Sequence, residues 1–172
     1  MSELDALPIN VGMPSAFRTK WLKNVPNEHC EVLDFWNRIK PRDGLPKRRD
    51  FDPTDLLPWL GNLHLVEICG DDARYLVYGS NIAQIHRREW TGKWISELNE
   101  TAKDQLLAYY QDVRDARRPL FHIVPASIAT KYHTWSRLFV PFADAQGEVR
   151  HILVHNVLFS SKDMKRQLKV LK

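Results

Sequence analysis

The sequence predicts an α+β domain built on one five-stranded antiparallel sheet, with helices over one face and an amphipathic helix ahead of it. Three observations carry that expectation. Segments with strand character fall into two groups, a pair near the middle of the chain and three at its end, so strands and helices are segregated rather than alternating. A helix of clear 3.6-residue period separates the two groups. The chain has 172 residues, 44% of them hydrophobic, with six Trp, seven Phe and five Tyr, which suits one domain with a sizeable core.

Residues 1–28 hold Pro8, Gly12, Pro14 and Pro26 with little periodicity and read as an irregular arm. Val32, Phe35, Trp36 and Ile39 follow at i, i+3, i+4 and i+7, with charged and polar residues on the other side. That spacing predicts an amphipathic helix, ended by Pro41 and Gly44. In LPKRRDFDPTDLLPWLG (45–61), Asp52 is a good N-cap, Pro53 suits the first helical position and Asp55 complements the helix dipole. A short helix is expected there, limited by Pro58 and Gly61. NLHLVEIC (62–69) and RYLVYGS (74–80) are candidate strands, joined as an antiparallel hairpin through Asp71-Asp72.

From residue 81 the texture changes to NIAQIHRREWTGKWISEL: a short helix, a turn at Thr91-Gly92, and a short apolar element. TAKDQLLAYYQDVRDARRPL (101–120) is a helix whose buried stripe is Leu106, Tyr109, Tyr110 and Val113, stopped by Pro119. LFHIVPASIA (120–129), KYHTWSRLFVPFAD (131–144) and EVRHILVHNVLFS (148–160) are rich in aromatic and β-branched residues and read as strands, the last two joined by a D-A-Q-G turn. A tail, SKDMKRQLKVLK, sets Met164, Leu168 and Leu171 on one helical side among basic residues. The expected organisation is an arm (1–28), one domain (29–160) and a basic tail (161–172). Helices between the second and third strands should cover one sheet face and enclose a small apolar cavity, a natural place for a ligand.

Six words occur in order: LPKRRDFDP (45–53), LLPWLGNLHLVEI (56–68), RYLVYGSNIA (74–83), REWTGKWISEL (88–98), RRPL (117–120) and LFVPFADAQGEVRHIL (138–153). With the topology, they resemble the PAS fold, and in particular a subfamily of stand-alone bacterial PAS proteins with an RRDFDP-type motif. The resemblance runs over about residues 30–160. One departure is Arg87-Arg88-Glu89-Trp90, where that subfamily has a glycine before the T-G pair; it alters the edge of the cavity. The resemblance implies sensing or ligand-dependent regulation through protein contacts, without a catalytic apparatus, and it leaves the ligand unnamed. It also implies dimerisation through the N-terminal helix.

The residues themselves argue against several other chemistries. Seven His and two Cys raise metal binding, yet there is no C-x-x-C and no helical H-x-x-x-H. His151 and His155 lie about 13 Å apart along one strand, so no metal is expected. Some PAS domains hold haem through a histidine on the long helix, and helix 101–116 has none, although His86 and His122 flank it in sequence. Flavin photochemistry in relatives uses an N-C-R-F-L-Q word, and Cys30 and Cys69 sit in EHCEV and EICGD. No haem, flavin or other cofactor is therefore expected, beyond an unidentified small ligand. There is no G-x-S-x-G and no phosphate-binding loop. Hence no enzyme is expected.

A net charge of +4 hints at anionic partners. Lys47-Arg48-Arg49, Arg87-Arg88 and Arg117-Arg118 each have acidic neighbours, and no helix-turn-helix or RNP-like word appears, so nucleic acid is not the expected partner. No apolar run is long enough to span a membrane and no leader peptide is visible, which predicts a cytoplasmic protein.

The candidate cavity residues are Ile82, Ile85, His86, Trp90, Trp94, Leu106, Tyr110, Ser136 and His155. Arg48, Arg49, Asp50 and Asp52 are expected to form a structural clasp at the cavity entrance, an arginine pairing bidentately with Asp50, Asp52 or Glu67. Contact with an anionic head group is the sharper alternative. The stripe Val32, Phe35, Trp36 and Ile39 is expected to meet a second copy in a symmetric homodimer, the alternative being the chain's own sheet. The function expected is a non-enzymatic sensory or regulatory domain. It would bind a small, partly apolar ligand or a protein and signal through flanking helices to a downstream protein. The alternative is a ligand-free adaptor that uses the fold as a protein- or nucleic-acid-docking surface.

Overall fold

The computed structural model describes residues 26–128 and 131–160; most of the arm and the whole basic tail lie outside them. Helix α1 (Asn27–Ile39) comes first, beginning two residues inside the expected arm. A 3-10 turn (Arg48–Asp50) and a 3-10 stretch (Pro53–Asn62) lead into strands β1 (Leu63–Cys69) and β2 (Asp72–Tyr78). Next are α2 (Ser80–His86), a 3-10 turn (Ile95–Glu97) and α3 (Glu100–Ala116). Strands β3 (Leu120–Ile128), β4 (Lys131–Ala143) and β5 (Val149–Ser160) complete the order. The sheet runs β2-β1-β5-β4-β3 with every neighbouring pair antiparallel.

Both faces of the sheet are covered. Strand alternation sends His64, Arg137, Phe139, Val154 and Asn156 to the side of α2 and α3. It sends Phe121, Ser136 and His155 to the side of α1, where His29 meets all three. On that side Trp36 Nε1 donates to the Pro141 carbonyl at 2.9 Å. Phe35, Phe51, Trp59 and Phe142 form a chain of ring contacts, with centroids 5.2 to 5.9 Å apart.

The stripe's partner is thus the chain's own sheet, which corrects the expected dimer surface. Val32, Phe35 and Trp36 are at most 3% exposed within the single chain, and Ile39 packs against the same core. A helix with an apolar stripe this large buries it on the nearest free apolar face, and the outer sheet face is already within reach of a short connection.

The RRDFDP segment also departs from expectation. It is held by backbone capping: Asp50 Oδ2 accepts from the Lys47 N–H at 2.7 Å, and Asp52 Oδ1 accepts from the Thr54 N–H at 2.8 Å. Arg48 lies over the Phe51 ring at 4.6 Å, while Arg49 is exposed. Among the described residues neither arginine makes an ion pair; Glu67 is held instead by Arg74 at 2.8 Å and Arg150 at 3.1 Å. Phe51 points to Phe35 and Phe142, so the segment lies on the α1 side of the sheet, away from the cavity entrance.

At the far end of the 3-10 stretch, Gly79 donates its N–H to the Leu63 carbonyl at 2.7 Å. A Cβ on Gly79 would stand 2.4 Å from the Gly61 carbonyl oxygen. This backbone-on-backbone contact sets where α2 begins, and α2 forms one wall of the cavity.

Candidate functional site

Between α2, α3, the loop joining them and the inner sheet face lies a cavity of about 390 Å³. Strands β1 and β2 supply His64, Tyr75 and Tyr78, β4 supplies Arg137 and Phe139, and β5 supplies Val154 and Asn156. The helical side contributes His86, Trp90, Leu98, Asn99, Ala102, Gln105, Leu106 and Tyr110. Asn99 and Gln105 are exposed and mark the mouth, whereas His64, Tyr75, Trp90 and Tyr110 are buried.

The loop's geometry follows from its sequence. Arg87 ends α2 in the left-handed region (φ 53°), turning the chain across the sheet edge. Thr91 Oγ1 then accepts the Tyr78 N–H at 3.1 Å, and the Gly92 N–H donates to the Tyr75 carbonyl at 2.7 Å. This T-G turn pins the loop to β2 and holds Trp90 over the cavity, with the Arg88 guanidinium 4.3 Å from its ring centre. Asn99 lines the mouth and also caps α3, accepting from the Ala102 N–H at 3.0 Å. Buried His64 stacks on Tyr78 with centroids 4.4 Å apart, and at the rim the Tyr78 hydroxyl hydrogen-bonds His86 Nδ1 at 2.9 Å.

Arg137 sets the electrostatics. Burial holds the His64 and His86 pKa values below the usual histidine range, with the Arg137 charge adding to the effect. Burial likewise raises the Tyr75, Tyr78 and Tyr110 phenols, which stay protonated. The imidazoles and phenols are therefore neutral at pH 7 around one guanidinium. His64 Nδ1 and Arg137 Nε are buried without a hydrogen-bond partner. The Tyr78–His86 pair is a neutral donor–acceptor contact.

Four of the sequence-predicted cavity residues line this space: His86, Trp90, Leu106 and Tyr110. Ile82 of α2 is buried in the core and Ile85 packs against that core. Trp94 is 36% exposed, outside the cavity, with Arg74 over its ring at 5.5 Å. Ser136 and His155 are on the opposite sheet face, because their strand neighbours Arg137 and Asn156 take the cavity side. Sequence reasoning missed His64, Tyr75, Tyr78, Arg137 and Asn156. The signal available was parity: Trp135, Arg137 and Phe139 share one side of β4, and an arginine there interrupts an otherwise apolar run. Among the described residues no group of three His, Cys, Asp or Glu side chains is placed to hold a metal.

A family model described as a PAS domain matches residues 25–155, most of the chain. The chain belongs to the PAS family. Solved structures similar to it include the PAS domain of Bordetella pertussis BvgS, at 16% identity and TM-score 0.45, covering 69% of this chain and 90% of that one. An RNA-binding light-oxygen-voltage receptor is 12% identical with TM-score 0.47, over 77% of this chain and 41% of its own. A sensory box histidine kinase/response regulator from Burkholderia thailandensis is 12% identical with TM-score 0.41, over 70% of this chain and 92% of that one. No curated protein matches. In this PAS domain the cavity lies on the helical side of the sheet, and the outer face carries α1.

Proposed function

We propose that the chain is a non-enzymatic PAS sensor that binds a small, partly apolar molecule in the cavity and reports its occupancy to a partner protein in the cytoplasm. The cavity carries this reading. Its volume of about 390 Å³ falls within the ~300–1,000 Å³ typical of small-molecule sites. It joins apolar walls at Trp90, Leu106 and Phe139 to a few converging polar groups. A route outward follows from the sheet. Arg137 and Asn156 are cross-strand partners on the cavity side, and their chain neighbours Ser136 and His155 hold His29 of α1 on the other. A ligand that shifts β4 against β5 alters the seat of α1. Among the described residues no helix is long and apolar enough to cross a membrane.

Native mass spectrometry of freshly purified full-length chain tests the reading. A small molecule retained at one per chain and released on denaturation supports it. A ligand-free preparation that also binds none of a metabolite panel, yet binds a protein in a salt-sensitive way, replaces it with the adaptor reading.

A further inference from the structure

We infer that the molecule bound in this cavity is an anion whose carboxylate docks on Arg137, with its apolar body between Trp90, Leu106 and Phe139. The inference rests on the reading of the cavity as a ligand site and adds the charge of the ligand. Its first support is an imbalance. Arg137 carries a permanent charge, and the cavity lining contains no Asp or Glu. Among the described residues Arg137 makes no ion pair, and its Nε is buried with no hydrogen-bond partner. Glu67 of β1 is no substitute, because Arg74 and Arg150 already hold it. Arg137 is half-buried, with the Trp135 ring centre 5.8 Å from its guanidinium carbon. Withdrawing part of a guanidinium from water without a counter-charge is costly, and a ligand anion would offset that cost.

The second support is the neighbouring donor set. His64 Nδ1 is also buried and without a partner, so in the tautomer that protonates it an N–H is available to a ligand oxygen. Asn156 Nδ2 donates to the Asn62 and Val154 carbonyls, at 3.2 and 3.1 Å, and His86 Nδ1 is engaged by Tyr78. Among the described residues, the buried polar side-chain atoms of the lining that lack a partner are His64 Nδ1 and Arg137 Nε. A planar guanidinium fork matches the two oxygens of a carboxylate, whereas a cationic ligand would meet an uncompensated positive charge. The histidines fit the same picture: burial and the Arg137 field keep them neutral, so one unit of positive charge faces the ligand.

The test compares acids with their neutral isosteres on the full chain. Benzoate, phenylacetate and indole-3-acetate are each titrated beside the matching primary amide by calorimetry at neutral pH. Native mass spectrometry of the purified protein is run in parallel. The expected result is that acids which bind do so about tenfold or more tighter than their amides. Arg137→Met, close in volume but uncharged, should abolish that preference, and Arg137→Lys should keep part of it. The wild-type comparison decides the matter even where Arg137→Met fails to fold. A co-purifying acid also supports the inference. Amides that bind as well as acids, or a co-purifying neutral molecule, overturn the anion while leaving the cavity reading in place. Binding of no probe together with no co-purifying molecule overturns both.

Discussion

The Nδ1 atoms of His29 and His155 lie 2.8 Å apart in a site that is at most 1% exposed, tying α1 to the central strand β5. His29 Nε2 completes the link with Ser136 Oγ at 2.7 Å. With each ring neutral, one imidazole donates and the other accepts. With both rings protonated, two N–H groups would face each other across that distance.

The first prediction is a loss of stability in mild acid. Burial lowers the pKa of His155 to about 4 and that of His29 well below its ordinary value; His122, on the α3 side, is also lowered to about 4. These values lie below the unfolded-state value near 6.5, so the unfolded chain binds more protons as the pH falls. The stabilisation is fully present above about pH 6.5 and is lost progressively toward pH 4. His122 alone corresponds to on the order of 3 kcal/mol across that window. Both of its ring nitrogens are buried without a partner, against Tyr109 and Phe139. His122→Phe should therefore be neutral or stabilising and should flatten the acid slope. Urea midpoints followed from pH 7 to 4.5 check both points; an unchanged slope in the variant would show that His122 is protonated in the folded state.

The second prediction concerns Trp36. Because the ring is 3% exposed and its Nε1 donates to Pro141, Trp36→Glu buries a carboxylate and removes that bond. The expected outcome is loss of the folded state, since the apolar burial alone is worth about 1.5–3 kcal/mol and the buried charge adds to the cost. Circular dichroism and light scattering read it. A folded, monomeric variant beside a dimeric wild type would sink the docked position of α1.

What the sequence made legible was whatever local spacing or local composition carries. The α1 and α3 stripes rest on local spacing and the last three strands on runs of aromatic and β-branched residues, and each of the five strands forms. The site was only half legible. Of the predicted residues on helices and around the T-G turn, His86, Trp90, Leu106 and Tyr110 line the cavity while Ile82, Ile85 and Trp94 do not, and Ser136 and His155 depended on strand parity. On a sheet covered on both sides, both parities are apolar, so alternation gives no inward direction. The same two-sided burial hid the role of α1.

The third prediction separates the basic residues of the RRDFDP segment. Arg48 covers the Phe51 ring, and Arg49 is exposed. Arg48→Ala should cost about 0.5–2 kcal/mol through lost stacking and packing, and Arg49→Ala less than about 0.5 kcal/mol. Equal denaturation midpoints for the two variants would show that the stacking contributes nothing.

The fourth prediction is optical. Helix α3 carries no histidine and neither cysteine lies in a flavin-attachment word, so the purified protein should be colourless. A visible absorption band that survives dialysis and scales with protein concentration would contradict it.

The last prediction uses three glycines as probes of the cavity wall. Gly79→Ala places a methyl group 2.4 Å from the Gly61 carbonyl oxygen and 2.8 Å from that of Leu63, and both are backbone atoms that cannot swing aside. Gly61→Ala meets the side chain of Asn81 at 2.6 Å, which has room to rotate at the exposed surface. Gly44→Ala meets nothing within 4 Å, but its φ of +98° charges the alanine a conformational cost of about 1–2 kcal/mol. Overpacking against fixed backbone costs typically 1–3 kcal/mol or more, so Gly79→Ala should be the most damaging of the three. It should also be the one that disturbs the cavity, because the junction it pries apart sets the start of α2 and hence the Tyr78–His86 contact at the rim. Denaturation midpoints rank the stabilities, and probe binding to each folded variant reads the cavity. Gly79→Ala with wild-type stability and binding would show that the Gly61–Gly79 contact does not hold the wall in place.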